Sequence, residues 1–235
     1  MSRHIELFFA AALQLLAQAQ PDGGRPYRIG GGVSAPVPVY KPEPEYPEEA
    51  RLARYEGTVV IFVVIDAEGR PRGLKLMRPS PFGTDRAAIA TLEKWRFRPG
   101  QKLGPVPMQT AVPVQATIEV NFRLPRDNPS SATDYWHTVN ATFDLPPSAE
   151  PPHLVKASFQ NLPDPGRTAS FDINFDVDVG GYAEHVMVNS SDSNKEAIAS
   201  EFEKSWIFEP AKNGSVPVPV HAKFVLRHDS PGPTR

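Results

Sequence analysis

The sequence predicts an α+β protein built from two units, in each of which a small antiparallel sheet packs on one helix. Three observations carry this prediction. Runs with strand periodicity alternate with single amphipathic helices, and several sequence landmarks occur twice in the same order. The 27 prolines indicate many connectors and edge strands in place of long helices. With 235 residues, the chain is long enough for two domains of about 100 residues each.

Composition and motif content argue against several classes of function. The formal net charge is -2, so the chain has no overall attraction for nucleic acid or for anionic membranes. It has no cysteine, which removes disulfides, thiol catalysis and cysteine-based zinc sites. The histidines show no ligand spacing, and the sequence has no nucleophile elbow and no phosphate loop. We therefore expect no enzyme activity, no cofactor, no metal and no nucleic-acid partner.

Residues 1–19 read as a cleaved secretory signal. Leu7–Leu16 is apolar apart from Gln14, and Ala17 and Ala19 are small residues at the positions that signal peptidase needs. The apolar stretch is too short to cross roughly 30 Å of hydrocarbon as a helix. We expect a periplasmic or secreted protein, and the alternative is an uncleaved inner-membrane anchor that leaves the rest of the chain facing the periplasm.

A proline-rich arm opens the first unit. This unit is predicted over residues 34–125, after a flexible, glycine-rich linker at 20–33. Prolines recur between Val33 and Pro47, and this arm should be extended because proline restricts φ and disfavours helix in the preceding residue. A short helix over Glu48–Arg54 is expected to follow the arm.

The rest of the first unit alternates strand, strand, helix and strand. Thr58–Ile65 is a continuous β-branched and aromatic run that is typical of a central strand, and Gly73–Met77 returns from its turn. A helix is predicted to begin at Asp85 and to carry Trp95 on its apolar face. Val112–Leu124 alternates well enough to form the last strand.

The second unit is predicted over residues 151–228, with a tail at 229–235. A connector over 126–150 precedes it and is expected to supply the extended segment with which this unit begins. Ser170–Val179 shows the sharpest alternation in the chain, which favours a half-buried strand with an acidic face over a calcium-binding loop. Three landmarks repeat in order, which indicates two copies of one unit. The pairs are Glu93–Pro99 with Glu203–Pro210, Gly104–Pro107 with Gly214–Pro217, and Val112–Ala116 with Val218–Ala222.

The first unit resembles the C-terminal domain of TonB over residues of about 34–124. The segments that carry the resemblance occur in the family's order and span 65 residues, from Glu43 to Pro107. The second unit, at about 135–228, is similar only in outline and lacks the Tyr-Pro pair of the arm. The matching segments of the first unit are Glu43–Arg51, Glu56–Val60, Asp66–Gly69, Ala87–Ile89, Lys94–Pro99 and Gly104–Pro107.

The resemblance implies a protein-binding function. In the family, an inner-membrane complex powered by the proton gradient acts on outer-membrane transporters through this domain, which grips an extended segment of the transporter beside its sheet. An unpaired sheet edge suits this task, because a peptide gains main-chain hydrogen bonds there. By position, the implied partner-binding residues are Glu43, Pro44, Glu45, Tyr46 and Pro47 in the arm, and Val114, Gln115, Ala116, Thr117, Ile118, Glu119 and Val120 in the last strand.

Three functions are weighed from the sequence. The first is a periplasmic, non-enzymatic module that captures an extended peptide or a partner protein by strand addition, in envelope transport. The second is an energy transducer that couples the proton-motive force to outer-membrane transporters, which needs a retained membrane anchor. The third is a structural envelope scaffold whose edges are satisfied internally or in a homodimer. Trp95 and Trp206 are expected in the core, whereas Tyr46 is equally expected to pack against the sheet or to line a groove.

Overall fold

A computed structural model of the protein describes residues 25–104, 109–124 and 135–230. We call residues 25–124 the first half and residues 135–230 the second half. The predicted signal peptide lies outside the described residues. Within the described ranges, no helix is long and apolar enough to cross a membrane.

The described residues form short helices and many antiparallel strands. The helices are α1 (Glu48–Leu52), α2 (Thr84–Leu92) and α3 (Lys195–Ser205). The strands of the first half are β1 (Val37–Tyr40), β2 (Gly57–Ile65), β3 (Pro71–Leu76), β4 (Arg96–Arg98), β5 (Gly100–Leu103), β6 (Gln109–Val112) and β7 (Val114–Phe122). Those of the second half are β8 (Trp136–Asp144), β9 (Ala149–Glu150), β10 (His153–Lys156), β11 (Ala169–Val177), β12 (Ala183–Asn189), β13 (Ile207–Glu209), β14 (Lys212–Asn213), β15 (Val216–Pro217) and β16 (Val220–His228).

The main sheet of the first half has the strand order β3-β2-β7, so the last strand lies at an edge, as predicted. Alternate residues of β2 are buried, because the sheet packs one face against α2. Ala88 and Leu92 of α2 meet Ile61 and Val63 in this core. Two smaller pairs, β1 with β4 and β5 with β6, complete the first half.

The main sheet of the second half has the order β12-β11-β16-β8. The alternation that predicted a strand at 170–179 is confirmed by β11, in which Phe171, Ile173, Phe175 and Val177 are all buried. The predicted end of this strand was wrong. β11 ends at Val177, and Val179 lies beyond it with 56% of its surface exposed.

Trp95 and Trp206 both lie in the core, but neither is on a helix. α2 ends at Leu92, and α3 ends one residue before Trp206, whose backbone is already extended at φ -103° and ψ 120°. Trp95 and Trp206 are 4% and 0% exposed, which confirms the predicted burial. The prediction of longer helices failed because the chain turns early into β4 and β13, where Phe97 donates a backbone hydrogen bond to Gly69.

Two segments that the sequence analysis assigned to linkers are structured. Val33 pairs with Lys102 and is buried against Val114, so the described part of the linker at 20–33 is bound to the first half. The connector at 126–150 contains β8, which pairs with β16 along its length. Neither contact was predicted from the sequence.

One hydrophobic core joins the two halves. Ala50 and Ala53, from α1 and its C-terminal end, are fully buried in the core of the second half. Thr138 of β8 also fixes this junction, because its hydroxyl donates to the carbonyl oxygen of Ala53 over 2.7 Å. Phe82 inserts its ring from the loop before α2 and meets Phe224 edge-on, with 5.5 Å between the ring centroids.

Replacing Gly69 by alanine should destabilise the protein far more than replacing Gly73. Both glycines have positive φ, of 77° and 58°, but an added Cβ at Gly69 would lie 1.8 Å from the carbonyl oxygen of Phe97, whereas nothing lies within 4 Å at Gly73. We expect a loss of about 3 kcal/mol or more for Gly69→Ala and about 1–2 kcal/mol for Gly73→Ala. Urea denaturation measures both values, and equal losses would contradict the close approach.

Replacing Phe82 by alanine should weaken both halves together. The ring is 6% exposed and packs on Tyr55 as well as on Phe224, so its loss leaves a cavity at the junction. We expect a loss of about 3–5 kcal/mol for Phe82→Ala and a smaller loss for Phe82→Leu. The signal of Trp95 reports unfolding of the first half, and that of Trp206 reports unfolding of the second. A lower unfolding midpoint at only one of the two tryptophans would mean that the halves unfold independently.

Candidate partner-binding edge

One side of β7 is occupied and the other is mostly open. β2 pairs with β7 in an unbroken register from Gly57 with Phe122 to Ile65 with Val114. On the other side, Tyr27 donates its N–H to the Pro113 carbonyl over 2.8 Å and accepts the N–H of Gln115 over 2.9 Å. Among the described residues, no further strand pairs with this side. The edge is therefore open over residues 116–122.

The open edge presents main-chain groups at every second residue. Gln115 directs its N–H towards Tyr27, away from β2. Because successive residues of a strand alternate in direction and the register with β2 is unbroken, Thr117, Glu119 and Asn121 also direct their N–H and C=O groups away from β2. Their side chains are exposed. An added strand can therefore reach three donors and three acceptors here without disturbing the sheet.

The inward-facing side chains of β7 divide into two groups. Ala116 and Ile118 pack on the core of the first half and remain half-exposed, so they form a shallow apolar strip along the edge. Val114 and Val120 are 0% and 2% exposed. Although both were expected among the partner-binding residues, the structure places their side chains in the core, where they support the strand.

The arm reaches β7 at the C-terminal end of the strand. Tyr46 packs its ring edge-on against Phe122, with centroids 5.7 Å apart, and its hydroxyl donates to the carbonyl oxygen of Tyr55. Burial raises the pKa of the Tyr46 phenol, and Glu56 and Tyr55 raise it further. The positive charge of Arg51 lowers this pKa, but by less. The phenol therefore stays protonated as a donor. Of the two roles expected for Tyr46, the structure supports packing.

The other residues of the arm lie around this anchor. Glu43 and Glu45 are exposed, and Pro44 and Pro47 are half-buried. Upstream of them, the carbonyl oxygen of Pro42 accepts a hydrogen bond from the indole nitrogen of Trp95 over 3.2 Å. The arm is thus fixed at both ends, and its acidic side chains face solvent.

The second half fills the edge that corresponds to the open side of β7. β16 begins opposite Val177 of β11 in the way that β7 begins opposite Ile65 of β2. β8 pairs with β16 antiparallel on its far side. Ala222 and Phe224 of β16, at the positions that match Ala116 and Ile118, are both 0% exposed. Among the described residues, β16 is therefore paired on both sides, whereas β7 beyond Tyr27 is paired on one side only.

A cleft of about 1250 Å³ between the halves is a second candidate surface. Thr58 and Val60 of β2 line one wall, and Phe143 of β8 lines the other. Glu49 in this cleft already accepts a hydrogen bond from His153 Nδ1 over 2.9 Å. The cleft lacks the regular unpaired strand that β7 offers, because β8 has a register shift opposite Val225 and Leu226.

Proline at Thr117 should be tolerated, and proline at the matching Lys223 should not. Proline removes the N–H group, which at Thr117 faces solvent and at Lys223 faces β8. We expect Thr117→Pro to lower the free energy of unfolding by about 1 kcal/mol or less, and Lys223→Pro by about 2 kcal/mol or more. Thermal and urea denaturation of both variants measure this difference. A large loss for Thr117→Pro would show that the open edge is occupied.

Residues 42–124 match the family described as the Gram-negative bacterial TonB protein C-terminal domain. Among solved structures, the chain is similar to the solution structure of the Pseudomonas aeruginosa TonB C-terminal domain, at 21% identity and a TM-score of 0.32, over 43% of this chain and 97% of that one. No curated protein matches the chain. Residues 42–124 of this chain are similar to the TonB C-terminal family.

Proposed function

We propose that this chain is a non-enzymatic envelope protein that captures an extended peptide or a partner protein by adding it as a strand to β7. One observation carries the proposal. Thr117, Glu119 and Asn121 direct their main-chain groups away from β2 and meet no strand among the described residues, while the matching edge of β16 is filled by β8. Main-chain pairing gives affinity with little dependence on sequence, which suits the capture of a linear segment.

The second half is proposed to be a degenerate second copy that does not recruit a strand. Both halves contain, in the same order, a short strand (β1 or β10), a long hairpin, a helix (α2 or α3), a short strand that pairs with the first one (β4 or β13), a short hairpin and a final strand. The hairpin turns also correspond, because a Cβ added at Gly181 would lie 1.8 Å from the Phe208 carbonyl oxygen, as one at Gly69 would from that of Phe97. The boundaries proposed are 34–125 and 151–228, with β8 drawn from the connector.

The proposed partner is a segment of an outer-membrane transporter. TonB C-terminal domains interact with such transporters, and the family of residues 42–124 supports a protein partner for this chain. A periplasmic location follows from the signal predicted at residues 1–19. The energy-transducer alternative rests on the same family and needs that segment to be retained as an anchor. Sequencing the N terminus of the exported protein distinguishes cleavage from retention.

A structural scaffold is the second candidate function. It is favoured by the core that joins the halves, in which Tyr55 and Phe82 of the first half pack with Phe224 of the second. A scaffold of this kind needs no partner at β7, or satisfies that edge with another copy of the chain. Binding at β7 by a foreign peptide separates the two candidates.

Peptides from the periplasmic termini of outer-membrane transporters of the same organism should bind at β7. We expect amide resonances of Thr117, Glu119 and Asn121 to shift in ¹⁵N-labelled full-length protein, because these N–H groups gain acceptors. Thr117→Pro should abolish the response while leaving the fold intact. If no peptide shifts these residues, or if the shifts map to the cleft between the halves, capture at β7 is wrong and the scaffold is favoured.

A further inference from the structure

We infer that β7 takes an antiparallel strand in which a basic residue is followed, at the third position after it, by a large apolar side chain. The basic residue lies opposite Glu119 and the apolar one opposite Ala116. This inference rests on the proposed capture at β7 and specifies which segments that edge accepts. Its template is β8, the strand that the chain itself places on the matching edge.

The positions of β7 and β16 correspond one to one. β7 starts with Val114 opposite Ile65, β16 starts with Val220 opposite Val177, and both ladders continue without a register shift. Each strand has nine residues. Ala116 therefore matches Ala222, Ile118 matches Phe224, and Glu119 matches Val225.

The apolar side chains of Ala116 and Ile118 lack the cover that the matched side chains of β16 have. Ala222 and Phe224 are 0% exposed beneath β8 and the aromatic core around it. Ala116 and Ile118 pack on the equivalent face of their sheet but remain half-exposed. An added strand on the open side of β7 would cover this apolar strip, and that burial favours a partner with apolar side chains at alternate positions.

The template also sets the order of side-chain sizes. On β16, the ring of Phe143 lies opposite the small Ala222, and the small Ala141 lies opposite the large Phe224. Large is thus paired with small along the edge. On β7, the small Ala116 has room for a large apolar side chain, and Ile118 favours a smaller one.

β7 differs from β16 in charge at the position of Glu119. Asn140 of β8 lies opposite Val225, whose counterpart on β7 is Glu119. Glu119 is exposed, and no described side chain forms an ion pair with it. Opposite charges that face each other across two strands stabilise the pairing. A lysine or arginine in the partner at this position is therefore favoured over a neutral or acidic residue.

The direction and the length of the captured strand follow from its surroundings. β8 runs antiparallel to β16, so its N-terminal end lies beside the C-terminal end of β16. Tyr27 closes the edge of β7 beside Val114 and Gln115, and the strand ends at Phe122. The open stretch of residues 116–122 accepts a short extended segment and excludes a long one.

The test uses full-length protein and synthetic peptides with the sequence of residues 136–143, the part of β8 that lies opposite the counterparts of residues 116–122. We expect the Asn140→Lys peptide to shift the amides of Thr117 and Glu119 and to bind about two- to fivefold more tightly than the parent, given the usual strength of a cross-strand ion pair. An Asn140→Asp peptide should bind more weakly than the parent. A Phe143→Ser peptide should lose about tenfold or more in affinity, because it no longer covers Ala116.

A charge exchange in the protein is the matched control. Glu119→Lys reverses the sign at an exposed position, so it should leave the fold intact and invert the preference, with the Asn140→Asp peptide now binding best. Unchanged preferences would mean that Glu119 does not face the peptide, and would overturn the inference.

Direction is measured with a nitroxide label at either end of the Asn140→Lys peptide. An antiparallel strand predicts that a label at the N terminus broadens Asn121 and that a label at the C terminus broadens Gln115. The reverse pattern, or binding of transporter peptides but not of these, would overturn the inference and leave capture at β7 standing. If neither set binds at β7, the proposed function and the inference both fail.

Discussion

The need of every strand for hydrogen-bond partners organises this protein. A strand at the edge of a sheet exposes a row of N–H and C=O groups, and most proteins cover or disrupt such rows. The second half covers the row on β16 with β8, and the first half leaves the row on β7 open beyond Tyr27. A long antiparallel ladder thus lies within a closed sheet at β16 and borders an accessible edge at β7. The proposed recruitment of a strand depends on this difference.

Much of the fold was predictable, because β2 and β11 carry strong strand patterns and each is followed by a turn. β8 was not. Its pairing with β16 shifts register between Asn140 and Thr138, so an extra residue interrupts the period-two alternation that marks a half-buried strand. The edge position of β7 was predicted from resemblance, but the burial of Val114 and Val120 was not, since a pattern of apolar residues does not tell a supporting side chain from an accessible one.

The junction between the halves gives the open edge a rigid support. The arm is held by Tyr46, which packs on Phe122 at the end of β7 and donates its hydroxyl hydrogen to Tyr55. Tyr55 in turn lies in the core of the second half. The C-terminal end of β7 is therefore linked by direct contacts to the core that β8 completes. Because of these contacts, the second half can stabilise the proposed binding surface, to which it contributes no strand.

Regularity distinguishes β7 from the other edges of the two main sheets. Within the described residues, the pairing of β3 with β2 and that of β12 with β11 both contain register shifts, and β8 is irregular opposite Val225 and Leu226. Such irregularities twist an edge and hinder the addition of a further strand. β7 keeps an unbroken register over nine residues. Its exposed polar residues and its closure by Tyr27 limit indiscriminate pairing, so the same strand can stay accessible to a short partner without acting as a template for aggregation.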